Sequence, residues 1–276
     1  MIRRILLPVD ASEHSTTAAR YAEELALRHK ATIYALGVVD VPGIERDSAS
    51  AGTGASHYSK DLRERRLDDA RKVLGTYLDA LAEDLEGRNV PVVCINDAGP
   101  VHEVIAKRAL TTDIVVVAEK INFQFETSAK PGDTLFKLLE ITSRLVMVVP
   151  DTPRTIKRVL LAHDLSPTCA RVLYMMIHLR PFPESQYIVV HADNEGTYDE
   201  DDFKDGIEYL REHHIQAEMV VRNLIPSKAI MEVAQERDVD AIILGAYDAG
   251  KVRRFLFGST AQKILDNTDI PLIFGI

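Results

Sequence analysis

The sequence predicts an α/β protein of two tandem, doubly wound parallel-sheet domains. Three observations lead there. First, the chain opens the same way twice: residues 2–12 and 156–166 share Ile2/Ile156, Arg4/Arg158, Leu6/Leu160, Leu7/Leu161, Asp10/Asp164 and Ser12/Ser166. An internal repeat of this kind fixes the architecture before any element is assigned. Second, each half alternates short apolar runs with longer amphipathic stretches, the signature of parallel strands joined by helices. Third, Pro150-Asp-Thr-Pro153 interrupts the pattern near the middle of the 276 residues. Two prolines and a turn-forming aspartate stop one strand and space the next. The expected domains are 1–150 and 154–276, each within the usual size of an independent core.

In the first half, strands are expected at 3–9, 32–39, 90–95, 114–118 and 145–149. They are rich in Val and Ile and mostly too continuous to have a polar face, as in strands covered on both sides. Between them, 13–28 carries apolar residues at helical spacing behind Ser12, a candidate N-cap. The stretch 61–85 is a long helix with Leu62, Leu67, Ala70, Leu74, Leu78 and Leu81 on its apolar face. Residues 102–110 and 134–141 are two further helices. The segment 42–59 holds Gly43, Gly52 and Gly54 among several Ser and Ala, and reads as a flexible loop.

The second half repeats the order, with strands at 158–163, 187–191, 217–221, 241–244 and 271–274. Its helices are expected at 167–179, 202–213, 227–236 and 260–265. Ser166-Pro167 pairs an N-cap with proline at the first helical position, where a missing N–H costs nothing.

Composition narrows the function classes. The formal net charge is −9, with an acidic excess in both halves, so neither half offers the basic surface that nucleic acid requires. No apolar run approaches the length of a membrane span. The N-terminal run is too short for a signal peptide. Two cysteines in different halves, Cys94 and Cys169, suit a reducing compartment, and a cytoplasmic setting is expected.

Open α/β sheets bind ligands at the carboxyl ends of their strands. The first strand of each half ends in an acid, Asp10 or Asp164. In the second half, the fourth strand runs into Gly245-Ala-Tyr-Asp248-Ala-Gly250-Lys251-Val-Arg253-Arg254, and Gly258-Ser259-Thr260 follows where a helix should start. Free N–H groups and two hydroxyls at such a start suit an anion. The Gly-x4-Gly-Lys sequence from Gly245 to Lys251 is followed by Val252, so the hydroxyl that a phosphate-binding P-loop gives to its metal is missing. No spacing suggests a catalytic nucleophile or a metal cage.

These residues resemble the universal stress protein family over essentially the whole chain, as two tandem domains. The stretch Leu6-Leu7-Pro8-Val9-Asp10-Ala11-Ser12 is similar to the family's first-strand motif. The residues Gly245 and Gly258-Ser259 are similar to the first and third glycines and the hydroxyl of its Gly-x2-Gly-x9-Gly-Ser/Thr motif. The resemblance implies a Rossmann-like, adenine nucleotide alpha hydrolase-like fold. It also implies an ATP or AMP site, with or without Mg, built from Ala162, Asp164, Ala192, Gly245, Gly250, Gly258, Ser259 and Thr260. The middle glycine of the motif is Asp248 here, with Gly250 two residues later.

The first domain departs further. Its equivalents are Pro8, Asp10, Val38, Gly132 and Thr134, but Ala118 replaces the first glycine and Asp133 stands at the hydroxyl position. A carboxylate there would repel a phosphate. The first domain is therefore expected to be a degenerate partner, with any nucleotide in the second. The family's arrangement implies that the fifth strands meet as a built-in dimer, and a homodimer of the tandem chain is compatible with it. The function implied is a stress-response protein of regulatory or binding type, acting on an unknown protein partner. The alternatives are a nucleotide-free scaffold or small-ligand-binding protein, and a slow ATPase.

Overall fold

The computed structural model describes residues 1–50, 56–121, 133–194, 196, 200–246 and 258–275. Two compact units divide the chain, Ile2–Arg144 and Leu145–Ile276, the latter joined by Met1. Both are α/β, with a mixed, mostly parallel sheet.

The first unit runs β1 (Arg4–Val9), α1 (Glu13–His29), β2 (Thr32–Val39), α2 (Val41–Ser50), α3 (Ser56–Gly87), β3 (Val92–Ala98), α4 (Val101–Ala109), β4 (Ile114–Ala118) and α5 (Asp133–Ile141). Its strands lie in the order β3-β2-β1-β4, all parallel. The core is the expected set of apolar strand residues: Ile5, Leu6, Leu7, Ile33, Leu36 and Ile114 through Val116 are fully buried.

The segment 42–59 is not the loop its Gly and Ser content suggested. Residues 41–50 form α2, and α3 begins at Ser56, five residues before the expected start; 51–55 lie outside the described residues. Asp40 starts α2: its carboxylate accepts from the Gly43 N–H at 3.2 Å, and its carbonyl accepts from the Ile44 N–H at 3.0 Å. Ile44 then packs with Val39 and Leu74, and Val41, Leu67 and Ala70 close around them. Burial of this apolar face outweighs the weak helix propensity of Gly and Ser.

The second unit runs β5 (Leu145–Val149), β6 (Arg158–Ala162), α6 (Pro167–Leu179), β7 (Gln186–Ala192), α7 (Glu200–Glu212), β8 (Ala217–Arg222), α8 (Pro226–Glu236), β9 (Ala241–Gly245), α9 (Ser259–Leu265) and β10 (Leu272–Gly275). Its strand order is β8-β7-β6-β9-β10-β5. All pairs are parallel except the last, where β5 runs antiparallel to β10 with Val148 opposite Leu272 and Val146 opposite Phe274. Every residue of β5 is buried.

The repeat extends to details the sequence did not show. Asp113 Oδ2 accepts from the backbone N–H groups of Arg3 and Arg4 at 2.6 and 2.9 Å. Asp240 Oδ2 does the same for Lys157 and Arg158 at 2.9 and 2.8 Å. Each acid satisfies the two N–H groups that lead into the strand opening its copy of the repeat, β1 or β6. The turn after that strand is also shared: Ala11 and Leu165 take left-handed backbone angles, with φ of 61° and 60°. Such angles are uncommon for residues with a side chain and collect at functional turns.

Candidate functional site

The carboxyl ends of β6, β7 and β9 face the starts of α8 and α9 across a cavity of about 180 Å³. Seven of the eight residues expected for the second-domain site line it: Ala162, Asp164, Ala192, Gly245, Gly258, Ser259 and Thr260. The eighth, Gly250, lies outside the described residues, as do Asp248, Lys251, Arg253 and Arg254.

Each lining residue has a local cause. Asp164 follows β6 and precedes the left-handed Leu165. It is solvent-exposed, and its Oδ1 accepts from the Ser166 N–H at 2.9 Å. Partial desolvation pushes its carboxyl up. Hydrogen bonds from Cys169 and Ser166 and the nearby His163 outweigh that and hold it below the usual carboxylate value. Ser166 caps α6, its hydroxyl accepting from the Cys169 N–H at 3.2 Å. Cys169 faces the cavity with a thiol that burial and the charge of Asp164 push up to about 12, so it is no nucleophile.

Gly245 ends β9. A Cβ there would sit 3.0 Å from the Thr168 methyl of α6, so close approach of helix to strand accounts for the glycine. Gly258 places its N–H on the Ala246 carbonyl at 3.0 Å. Ser259 and Thr260 then open α9 on the cavity wall, and among the described residues their hydroxyls have no protein partner.

Sequence reasoning missed the opposite wall. Pro226 and Ile230 of α8 and Val190 of β7 supply much of the apolar lining. The one available signal was the spacing of Pro226 and Ile230, one helical turn apart on the same face. Cys169, which the sequence offers only as a sign of a reducing compartment, is a free thiol on the cavity wall.

The first unit treats the same positions differently. Asp10 is only 5% exposed, and its Oδ1 accepts from the Ser12 N–H at 3.0 Å, the Ser12 hydroxyl at 2.5 Å and the Ser15 hydroxyl at 2.6 Å. Ser12 thus occupies the N-cap position of α1 but spends its hydroxyl on Asp10 rather than on the helix. The Tyr77 hydroxyl, from α3, reaches Thr16 and Ser15, and desolvation there pushes its phenol up. Pro8, Val38 and Thr134 are buried, while Gly132 lies outside the described residues and nothing is described of the Asp133 side chain. Here the strand-end acid is satisfied by the chain's own hydroxyls.

Among the described residues there is no group of three or more His, Cys, Asp or Glu placed to hold a metal ion. No helix among them is long and apolar enough to cross a membrane.

Residues 1–120 and 155–274 each match the Universal stress protein family. The chain belongs to the universal stress protein family. Two copies of the family domain in tandem account for the repeated opening. Universal stress protein Slr1230 of Synechocystis sp. is 20% identical over 99% of both chains. The crystal structure of a universal stress protein from Archaeoglobus fulgidus covers 99% of this chain and 97% of its own, with a TM-score of 0.71 and 20% identity. A further universal stress protein from Archaeoglobus fulgidus was solved in complex with dAMP; it matches 44% of this chain and 97% of its own at 22% identity, with a TM-score of 0.32.

Proposed function

We propose that this universal stress protein is a cytoplasmic regulatory protein of the binding type, and that its second domain, 154–276, takes ATP or AMP. The first domain, 1–150, serves as a structural partner with a closed strand end. The observation that carries this reading is the second-unit cavity. It joins an acid held in its charged form, Asp164, to hydroxyls at Ser259 and Thr260 that have no partner among the described residues, across apolar walls from Val190, Ala192 and Ile230. Small-molecule sites have this character: mostly apolar lining with a few convergent polar groups. The apolar walls suit a base, Asp164 suits sugar hydroxyls, and the α9 hydroxyls suit phosphate oxygens. A Mg ion would be bound by the nucleotide's phosphates rather than by a protein cage.

Calorimetry of the purified chain with Mg-ATP and with AMP tests the reading. Binding at submillimolar concentration is expected, with loss of heat in Gly258→Asp, which sets a carboxylate beside the phosphate position. Absence of heat with either nucleotide removes the ligand. Unchanged affinity in Gly258→Asp places the ligand elsewhere.

A second reading, a scaffold without nucleotide, draws support from Gly245, whose missing side chain is explained by Thr168 alone. Native mass spectrometry of the protein as purified separates the two, because a retained nucleotide has a recognisable mass. The same preparation, assayed for ATP turnover above a Gly258→Asp control, tests slow hydrolysis.

A further inference from the structure

Two histidines stand in the second unit where the first has a valine and a glycine. The sheet registers superpose: Arg4 pairs with Thr32 as Arg158 pairs with Gln186. This sets His163 at the place of Val9 and His191 at the place of Gly37. Both imidazoles lie beneath α7. The ring centroid of Phe203, a residue only 3% exposed, is 4.3 Å from that of His191 and 6.0 Å, edge-on, from that of His163.

On the α7 side the surroundings of His163 are apolar. Leu161 and Val189 of the sheet, Leu173 of α6, and Ile207 and Leu210 of α7 close a cleft of about 10 Å³ against it. That is at the limit for a single water, so on the α7 side a charge formed on the ring has no room for hydration while the helix stays docked; the other side of the ring lines the larger cavity.

The hydrogen bonds assign the protons. The Leu165 N–H donates to His163 Nδ1 at 3.1 Å, so the ring's one proton is on Nε2. His191 Nδ1 lies 3.0 Å from the His163 carbonyl oxygen and carries a proton. A second proton on His163 must go to Nδ1, where it faces the Leu165 N–H and breaks that bond, in the turn where Leu165 already has φ of 60°. The titratable groups facing this ring are Asp164 from its own turn and His191 from β7. The α6 and α7 residues that close the small cleft are apolar, Leu173, Phe203, Gly206, Ile207 and Leu210, and on the side of the larger cavity the ring shares its lining with Cys169 of α6 and with Ser259 and Thr260 of α9.

We propose that His163 and His191 form a proton-sensitive latch for α7: with His163 neutral the helix is docked on β6 and β7, and protonation of His163 releases it. The direction follows from the environment. Burial pushes the His163 imidazole below its ordinary value and the charge of a protonated His191 adds to this, while Asp164 pulls the other way. With α7 released, the ring recovers an ordinary value of about 6.5 and binds a proton that the docked state refuses. Docking is thus at full strength above that pH. It weakens about tenfold per pH unit below it, until the lowered docked-state value is passed.

Hydrogen exchange of the whole chain between pH 8 and pH 5, corrected for the intrinsic pH dependence of exchange, tests the proposal. Protection in α7 should fall about tenfold per unit below the ordinary histidine value, while β6 and β9 keep theirs. His163→Val, the first unit's own choice, should keep α7 protected throughout, and His178→Ala, an exposed histidine on α6, should retain the wild-type fall. Constant α7 protection in the wild type overturns the proposal. So does a fall that survives in His163→Val, or a uniform loss across the chain. Should His163→Val fail to fold, the His163 Cε1–H resonance of the wild type decides. A midpoint displaced below the ordinary value, accompanied by α7 amide shifts, sustains the latch; a midpoint at or above that value ends it.

Discussion

Asp10 and Asp164 occupy one position of the repeat and do opposite things. Asp10 is buried and saturated by Ser12 and Ser15, whereas Asp164 sits exposed at a cavity mouth, held by Ser166 and Cys169. Removing a buried acceptor leaves its donors unpaired and costs about 1–3 kcal/mol, whereas an exposed one loses little because water replaces it. Asp10→Ala should therefore destabilise the protein by about 2–3 kcal/mol in urea denaturation, and Asp164→Ala by less than about 1 kcal/mol. Equal costs would mean that the two acids share a structural role. Sequence comparison showed the identity of these residues but not this divergence. The donors to Asp10 are local, but Tyr77 of α3, whose hydroxyl meets Ser15 and Thr16, lies far along the chain, and no local pattern announces it.

The elements show the same division between near and distant causes. Helices with strong periodicity, such as α1 and α6, were legible within a residue or two at each end. So was the cap of α6, because Ser166-Pro167 acts on its own next turn. The helix α2 was not, since its stability comes from Ile44 meeting Leu74 of α3 rather than from its own Gly- and Ser-rich composition. The clips at Asp113 and Asp240 were equally hidden, each bridging a loop residue to the start of a strand far away in sequence. Asp240→Ala strips the acceptor from the N–H groups of both Lys157 and Arg158. A loss of about 2 kcal/mol is expected, read as a lower urea midpoint at unchanged slope. A variant as stable as the parent would show that water replaces the carboxylate at no cost.

At the scale of the whole molecule, the tandem architecture and most of the candidate cavity could be read in advance, because both rest on repeated strands and on the rule that strand ends form sites. The α8 wall and the meeting of His163 with His191 under α7 could not, since they depend on which faces three-dimensional packing brings together. The same packing makes the second unit intolerant at one small residue. A Cβ on Gly275 of β10 would lie 2.6 Å from Val172 of α6 and 3.1 Å from Leu145 of β5 and from Met175. Gly275→Ala should cost about 1–3 kcal/mol through overpacking, measured by thermal or urea unfolding. No loss would show that this junction of β5, β10 and α6 yields readily.

The pairing of β5 with β10 carries a further consequence during synthesis. Val148 must wait for Leu272 before its antiparallel partner exists. Throughout that interval the nascent chain carries an apolar ribbon, Leu145 to Val149, whose edge toward β10 is unpaired and open to other strands. The nascent chain is open to mispairing at that edge until β10 has been made.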